Sequence, residues 1–450
     1  MTFPRRLRSV FRLRPFLFSA LCLLAPTAVR AVNPIIPEGR FLSDPAPRVG
    51  PDGRLWVFGS RDVRRGDWCS KFNDVLETRD MRTFRLHENI LDAGRTLYAP
   101  DAIFLDGLWR LFYCTPERDH AEGVAMSPSP TGPFTGARKL EGCTQIDPSV
   151  FRDDDGTVYF FWGQYALKGG VLDRTLDRLA EGSVRESVIT EKTHHFHEGV
   201  QLLKRNGIYY LVYADTSRRG RPTSIGYSTA KSPFGPYVYR GVIIDNFGCD
   251  PESWNNHGGI VEYGGRWYVF YHRSTNASSV FRKACVEPIA FDADGLIAEV
   301  EMTSNGAEPP LDAFGWIDGR LACLLTGSVR VQTGADGRER LARAKNGDTA
   351  LWRYLRVDRP ARSLVLKSVP RDGGTVRVRD EKGALLGEAR VGPGDGERET
   401  EIPLAGLGTG ARKAIRLEFA GGAGGALPEV VAWRLVPGGE GASRRGSDGQ

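Results

Sequence analysis

The chain has 450 residues, enough for one large domain and a smaller one. A hydrophobic fraction of 41%, with 54 glycines and 27 prolines, favours a turn-rich β protein with a substantial core over a helical protein. The formal charge of +6 comes entirely from the six arginines of residues 1–31, a segment without lysine or acidic residues, so we expect no nucleic-acid partner and no anionic membrane surface.

The N-terminal segment, residues 1–31, has the pattern of a signal peptide. Arginines at residues 5–14 precede an apolar stretch at residues 16–28, and Val29-Arg30-Ala31 supplies the small residues of a cleavage site. The apolar stretch is too short to span a bilayer comfortably. We therefore predict a cleaved, secreted or periplasmic protein without membrane attachment; an uncleaved anchor is the alternative.

From Asn33 to about Thr303, strand-like runs alternate with turn residues. Five runs share a pattern in which a glycine precedes an aromatic-aliphatic stretch; these glycines are Gly53, Gly107, Gly156, Gly207 and Gly265, spaced by 54, 49, 51 and 58 residues. A polar residue stands six to nine residues before each glycine: Asp44, Asp101, Asp147, Glu198 and His257. A period of about 50 residues predicts a propeller with one sheet per repeat. If the strand before each turn is innermost, the five polar residues converge on one axial pocket.

The pattern breaks at residues 305–310, and alternating strands then predict a separate, jelly-roll-like β-sandwich. The predicted fold class is thus all-β, with a signal peptide at 1–31, a five-bladed propeller at 32–303 and a sandwich at 311–436. Residues 437–450 are mostly Gly, Ser, Arg and Glu, which predicts a disordered tail.

Six cysteines remain beyond the signal segment, and none has metal-ligand spacing. Export permits disulfides, and six cysteines allow 15 pairings among which the sequence does not choose. Cys114 and Cys285 lie in apolar runs, so we predict that they are buried thiols.

The stretch His194-His195-Phe196-His197 raises the question of a zinc site. Strand alternation would send His195 and His197 to one face, but no third ligand is nearby in the sequence. We therefore favour pocket lining or packing for these histidines.

Local motifs accompany the five polar residues. They are Ser43-Asp44-Pro45, Tyr98-Ala-Pro-Asp101, Ile146-Asp147-Pro148, His197-Glu198-Gly199 and Asn256-His257-Gly258. In this order and spacing they resemble glycoside hydrolase family 43, over about 270 residues. The resemblance implies a five-bladed propeller and hydrolysis of glycosidic bonds with inversion.

The same residues suit that chemistry. An inverting glycosidase needs a carboxylic acid that protonates the leaving oxygen and a carboxylate that activates water, roughly 6.5–9.5 Å apart. Carboxylates on different blades that face one axis can supply this separation. We predict Asp44 as the general base, Glu198 as the general acid and Asp147 as a second carboxylate that tunes and orients the acid; the resemblance implies the same roles. Asp62, Asp153 and Asp250 are assigned to turns and blade edges.

Further residues are predicted to bind substrate. Asp101 has a shorter offset to its glycine, so it is either a pocket wall or a structural residue. The resemblance implies that Arg282 contacts sugar hydroxyls, with a surface salt bridge as the alternative. Trp68, Trp254 and Phe41 are candidate stacking platforms for a sugar face.

His257 is also predicted to bind substrate, and it is the candidate for ion support. The resemblance implies a position beside a central calcium or water cluster. Calcium prefers oxygen ligands, so we expect ordered water at His257 and leave calcium open. No cofactor is required.

We predict an exported, monomeric, exo-acting α-L-arabinofuranosidase or β-xylosidase that acts on side chains of plant polysaccharides. A β-galactofuranosidase or galactanase of the same family is one alternative, and a retaining fructan hydrolase is disfavoured because its Asn-Asp-Pro-Asn signature is missing. A non-catalytic sugar-binding propeller would not need three carboxylates. The sandwich resembles carbohydrate-binding modules through residues 321–327 and 348–355, with a structural appendage as the alternative.

Overall fold

The computed structural model describes residues 27–117, 122–218, 220–421 and 425–438. These residues form a five-bladed propeller followed by a β-sandwich, which confirms the predicted fold class. Most of the predicted signal peptide, residues 1–26, and most of the predicted tail, residues 439–450, lie outside the described residues. Within the described part of the chain, no helix is long and apolar enough to cross a membrane.

The first two blades share one continuous sheet because a single long strand passes from one to the other. Blade I consists of β1 (Thr27–Arg30), β2 (Ser43–Val49), β3 (Leu55–Ser60), β4 (Ser70–Thr78) and the first half of β5 (Thr83–Leu105). Blade II consists of the second half of β5, β6 (Leu108–Cys114), β7 (Glu122–Ser127) and β8 (Thr135–Lys139).

The other three blades are separate sheets. Blade III consists of β9 (Ser149–Arg152), β10 (Val158–Trp162) and β11 (Lys168–Val171). Blade IV follows the short helix α1 (Glu191–His194) and consists of β12 (Phe196–Arg205), β13 (Ile208–Asp215), β14 (Ser224–Ala230) and β15 (Val238–Ile244). Blade V consists of β16 (Gly259–Tyr263), β17 (Arg266–Thr275) and β18 (Ser278–Ile289).

The five repeated glycines occupy equivalent places in the fold. Each lies in the turn before the second strand of its blade, with φ between +72° and +88°. Glycine adopts this left-handed backbone without the steric cost of a Cβ atom, so the repeat marks one turn per blade. The five polar residues lie on the first strand of each blade or directly before it, as predicted.

The N-terminal segment closes the ring against blade V. The side chain of Asn33 exchanges hydrogen bonds with the backbone of Val286 at 2.9 and 3.0 Å, and the Ile35 N–H donates to the Ala284 carbonyl at 2.9 Å. Leu42 then forms an isolated parallel bridge with Lys283. Residues 33–42 therefore act as the outermost layer of blade V and join the first blade to the last.

The sandwich begins at Leu311 and has two six-stranded sheets. One sheet contains β19 (Leu311–Asp312), β21 (Leu324–Leu325), β24 (Thr349–Val357), β26 (Gly374–Asp380), β27 (Leu385–Val391) and β29 (Gly410–Ala420). The other contains β20 (Ile317–Asp318), β22 (Arg330–Thr333), β23 (Glu339–Ala342), β25 (Ala361–Val369), β28 (Arg398–Pro403) and β30 (Glu429–Pro437). Trp352 and Trp433 meet edge-to-face between the sheets, 5.7 Å apart.

The sandwich packs directly on blade V. Val32 of the closing segment belongs to the sandwich core, and Cys323 of the sandwich belongs to the apolar cluster of blades IV and V. Between the two domains, Lys283 of β18 pairs with Glu339 of β23 at 2.5 Å, and both side chains are fully buried. The two domains therefore share a core and a buried ion pair.

Replacing Lys283 with methionine is expected to lower the free energy of unfolding by about 3–5 kcal/mol, because it leaves the buried Glu339 without a counter-charge. Urea unfolding of the full chain measures this. Arg356→Met is the control: it removes an ion pair with Asp312 whose side chains are about half exposed, and should change stability by less than about 1 kcal/mol. Equal stability of Lys283→Met and the wild type would contradict the expectation.

Candidate active site

The inner strands are irregular where the carboxylates stand. Asp44 (φ 54°) lies at a register shift between β2 and β3, and Glu198 lies at a register shift between β12 and β13. Asp147 (φ 64°) directly precedes β9. Pro45 and Pro148 cannot donate a ladder hydrogen bond, which interrupts pairing at both aspartates. Such bulges turn a side chain out of the pleat, and here they aim carboxylates from three blades at the axis.

These carboxylates share one cavity of about 340 Å³. Asp44, Asp147 and Glu198 line it together with four aromatic side chains: Trp68, Tyr98, Tyr165 and Trp254. Ligand pockets commonly combine such apolar walls with a few convergent polar groups. Of the five polar residues predicted to converge on one axial pocket, Asp44, Asp147, Glu198 and His257 line this cavity and Asp101 does not.

Asp44 is held as an anion. Its Oδ1 accepts a hydrogen bond from Arg282 Nη1 at 2.8 Å, and its Oδ2 accepts one from Ser60 Oγ at 2.9 Å. Burial raises the pKa of Asp44, but Arg282, His257, His272 and the hydrogen bond from Ser60 together outweigh burial, and the pKa falls to about 2. Asp44 is therefore ionised at neutral pH, as a general base must be.

Two histidines flank Asp44. His272 is fully buried; its Nδ1 accepts from the Asp44 N–H at 3.3 Å, and its Nε2 lies 3.0 Å from the Asn255 carbonyl. Burial and the charge of Arg282 lower the pKa of His272 to about 3, so the ring is neutral and carries its proton on Nε2. His257 lines the cavity, with Nδ1 at 3.6 Å from Asp44 and 3.9 Å from Asp147.

The pKa of Asp147 is shifted in the opposite direction from that of Asp44. Its N–H donates to Cys114 Sγ at 3.2 Å, and the same sulfur lies 3.9 Å from Oδ1. Burial and the nearby charges of Glu198 and Asp44 raise the pKa of Asp147 well above its ordinary value. Asp147 and Glu198 thus form an electrostatically coupled pair beside the ionised Asp44.

Glu198 is half-buried and faces the cavity. Its Oε2 accepts a hydrogen bond from Gln164 Nε2 at 2.8 Å and lies 4.0 Å from His197 Nε2. His197 is itself held by Glu191, whose Oε1 lies 3.1 Å from Nδ1, and its ring meets Tyr165 edge-on at 5.0 Å. The carboxyl group of Glu198 is therefore fixed from one side and open to a ligand on the other.

Four of the predicted binding residues line the cavity: His257, Arg282, Trp68 and Trp254. Arg282 is fully buried and pairs with Asp44 and Asp62, so the alternative of a surface salt bridge is wrong. Trp68 covers the guanidinium of Arg282 at 4.9 Å, and Trp254 is 64% exposed at the cavity edge.

Asp101 and Phe41 are placed elsewhere. Asp101 accepts from the Val150 N–H at 2.9 Å and pairs with Arg48, so it ties the first three blades together. The ring of Phe41 packs on Phe281 at 4.9 Å. Neither residue is in the cavity wall, and this corrects their prediction as substrate-binding residues; Asp101 matches the structural alternative.

Several residues at the site were not predicted from the sequence. Gln164 and Tyr165 follow the second strand of blade III, and Tyr98 lies at the start of the inner strand of blade II, where it pairs with Cys114. Asp62, assigned to a turn, is buried and binds Arg282. Their common signal is a position at one end of a blade strand or just beyond it.

The histidine stretch does not form a metal site. His195 ends α1, and its ring packs on Tyr239 at 4.9 Å, whereas His197 points into the cavity. Strand alternation fails here because the strand begins only at Phe196. Throughout the described ranges, no group of three or more His, Cys, Asp or Glu side chains is arranged to hold a metal ion.

The surroundings of His257 do not match a calcium cage. Beneath the ring lies a small space of about 20 Å³ lined by Asp101 and Gln201, which is about the room of one water molecule. The oxygens there already accept hydrogen bonds: Asp101 from Val150, and Gln201 from Ile260 at 2.7 Å. Calcium takes six to eight oxygen ligands, so these residues fit an ordered water better.

All six cysteines of the described residues are free and buried. Cys114 and Cys285 lie in strands and are fully buried, as predicted. Cys69 and Cys114 contact the carboxylates of the site, so burial is combined with a packing role beside Asp44 and Asp147.

Comparison with known proteins identifies relatives. The family model described as glycosyl hydrolases family 43 matches residues 33–297. A xylosidase/arabinosidase from Thermoclostridium stercorarium is 30% identical over 359 residues, which cover 68% of this chain and 74% of that protein.

Solved structures of family 43 enzymes are also similar to this chain. A GH43 β-xylosidase/α-arabinofuranosidase from a compost microbial metagenome, in complex with xylotriose, is 27% identical with a TM-score of 0.53 and covers 61% of this chain and 98% of its own. An arabinoxylan arabinofuranohydrolase from Bacillus subtilis is 22% identical with a TM-score of 0.51, and covers 90% of this chain and 97% of its own. This last likeness concerns the fold alone, and it extends over the propeller and the sandwich.

Proposed function

Because the chain belongs to glycoside hydrolase family 43, we propose that this glycoside hydrolase releases terminal α-L-arabinofuranosyl or β-xylosyl residues with inversion. The observation that carries the proposal is the meeting of Asp44, Asp147 and Glu198, from three blades, in one cavity. Relatives named xylosidase/arabinosidase support the sugar class. The cavity volume of about 340 Å³ is near the lower end of ligand pockets, which suits one terminal sugar and hence exo action.

In the proposed reaction each carboxyl group has one task. The ionised Asp44 removes a proton from a water molecule, whose oxygen attacks the anomeric carbon. Glu198 donates its proton to the leaving oxygen as the glycosidic bond breaks. Asp147 shares one proton with Glu198, because two adjacent carboxylates repel each other, and this keeps a proton available to Glu198 for this step.

Hydrolysis of nitrophenyl α-L-arabinofuranoside, β-D-xylopyranoside and β-D-galactofuranoside tests the substrate class, and NMR of the first-formed anomer tests inversion. The expected result is turnover of a pentoside with an inverted product. Rates no higher than those of Asp44→Ala on every pentoside would exclude the proposal. Turnover confined to the galactofuranoside would move the assignment to the alternative activity, and a retained anomer would contradict inversion.

Replacing Asp147 with asparagine is expected to move the alkaline limb of kcat/KM to lower pH. The pair formed by Asp147 and Glu198 keeps one proton because two adjacent carboxylates repel each other. Asparagine removes that repulsion, so the catalytic proton is lost at lower pH and activity falls earlier as pH rises. A pH profile from 4 to 9 measures the shift, with Asp153→Asn in a blade III turn as the control; an unmoved alkaline limb would contradict this role of Asp147.

We also propose export by cleavage after Ala31. Such cleavage would remove β1, the edge strand of blade I, which pairs with residues 83–86 of β5. The rest of blade I keeps four strands, from β2 to the first half of β5. N-terminal sequencing of the protein recovered from the medium or periplasm tests this; a mature chain that begins at any residue other than Val32 would contradict the predicted cleavage site.

A further inference from the structure

Asp62, directly after β3, is one of the most completely buried carboxylates of the propeller, at 1% exposure. Its Oδ2 accepts from the backbone N–H and from Nε of Arg282, both at 3.0 Å. Its Oδ1 accepts from Arg282 Nη2 at 3.0 Å and from the Cys69 N–H at 3.3 Å. Asp62 therefore binds one edge of the Arg282 guanidinium, through Nε and Nη2, and the Arg282 backbone N–H.

These hydrogen bonds fix the direction of the remaining guanidinium donors. Nη1 of Arg282 donates to Asp44 at 2.8 Å, and Nη2 donates to Cys69 Sγ at 3.3 Å. The ring of Trp68 covers the guanidinium at 4.9 Å. A guanidinium has five N–H donors, and four of them are now assigned, so Arg282 cannot bind a sugar through a pair of donors.

We propose that Asp62 is a positioning residue for the general base, which it acts on through Arg282. Asp62 locks the guanidinium so that Nη1 meets Asp44, and it shares the positive charge that would otherwise fall on Asp44 alone. Asp44 then keeps both its orientation and its strength as a base. This inference rests on the proposed role of Asp44.

The charges around Asp44 explain why it matters that Asp62 and Asp44 share the positive charge of Arg282. Arg282 is the fixed cation at this carboxylate, His272 is neutral, and His257 and Asp147 face it from the cavity side. Without Asp62, the positive charge of Arg282 would act on Asp44 alone and would stabilise its ionised form more strongly. A carboxylate that is stabilised more strongly accepts a proton from water less readily.

Asp62→Asn is the test, with Asp74→Asn as a matched control. Asp74 is a buried aspartate of the same blade that pairs through two oxygens with Arg61, 2.6 Å from its Nε, and it is not in the cavity wall. We expect Asp62→Asn to lower kcat by about 10- to 100-fold with little change in KM, because a misplaced base costs rate and not ground-state binding. Asp74→Asn should lower Tm while kcat stays at the wild-type value.

The leaving group gives a second readout. Loss of base function should reduce the rates of dinitrophenyl and alkyl glycosides equally, whereas loss of acid function spares the dinitrophenyl substrate. Wild-type kcat in folded Asp62→Asn, or an equal loss of kcat in Asp74→Asn, would overturn the proposal.

If Asp62→Asn fails to fold, Arg282→Lys replaces it. A single ammonium cannot bind Asp62 through two donors and also reach Asp44, so the same loss of kcat is expected; wild-type kcat would overturn the proposal. Asp44→Ala separates the two hypotheses. If Asp44→Ala is inactive and Asp62→Asn has wild-type kcat, only this inference fails, whereas an active Asp44→Ala contradicts the proposed function itself.

Discussion

Asp44→Ala is expected to lower kcat by about 10²- to 10⁴-fold, the range that a general base contributes. The carboxylate is buried, ionised and held by Arg282 and Ser60, so no neighbouring group can replace it as an ionised oxygen base. KM should change much less, because the base acts on water and not on the bound sugar. Steady-state kinetics on the best nitrophenyl glycoside measures both parameters.

Azide supplies a sharper test of the same prediction. The space left by the Asp44 side chain can admit a small anion, and Arg282 offers it a positive charge. In an inverting enzyme this anion attacks from the face that water uses, so azide should restore turnover of Asp44→Ala and yield a glycosyl azide of inverted configuration. A glycosyl azide of retained configuration would mean that Asp44 is not the base.

Glu198→Ala is expected to lower kcat by about 10²- to 10⁴-fold on substrates with poor leaving groups, and far less on dinitrophenyl glycosides. A dinitrophenolate leaves without a proton, so it no longer needs the acid that Gln164 and His197 hold in place. A series of aryl glycosides with graded leaving groups measures this difference.

The control for Glu198→Ala is Glu191→Gln, which keeps Glu198 and alters only the partner of His197. We expect it to keep most of the activity on every leaving group. If Glu198→Ala slows all substrates by the same factor, Glu198 is not the general acid. In that case Asp147, whose pKa is raised by burial and by the neighbouring charges of Glu198 and Asp44, becomes the candidate.

Much of the fold could be predicted because its signals are local. Each repeated glycine has a left-handed backbone, and each aromatic run forms the second strand of a blade. These are properties of a few consecutive residues, and their repetition about every 50 residues indicates a closed ring of similar blades. The inner-strand position of Asp44, Asp147 and Glu198 follows from the same period.

The partners of each carboxylate could not be predicted in this way. Asp62 and Arg282 are 220 residues apart, and the meeting of blades I and V depends on how the N-terminal segment closes the ring. Asp101 has the same residue type and also lies on an inner strand, yet it faces Arg48 and not the cavity. Spacing along the chain does not determine which side chains from different blades meet.

The sequence by itself therefore determined the five repeats, the two-domain order and the three carboxylates on inner strands. Only the tertiary structure decided that the pKa of Asp147 is raised, that the pKa of Asp44 is lowered, and that the sandwich is joined to the propeller by Lys283 and Glu339. The physical reason is that turns and strands are encoded by neighbouring residues, whereas proton affinity and ion pairing depend on burial and on charges that the fold brings together from distant segments.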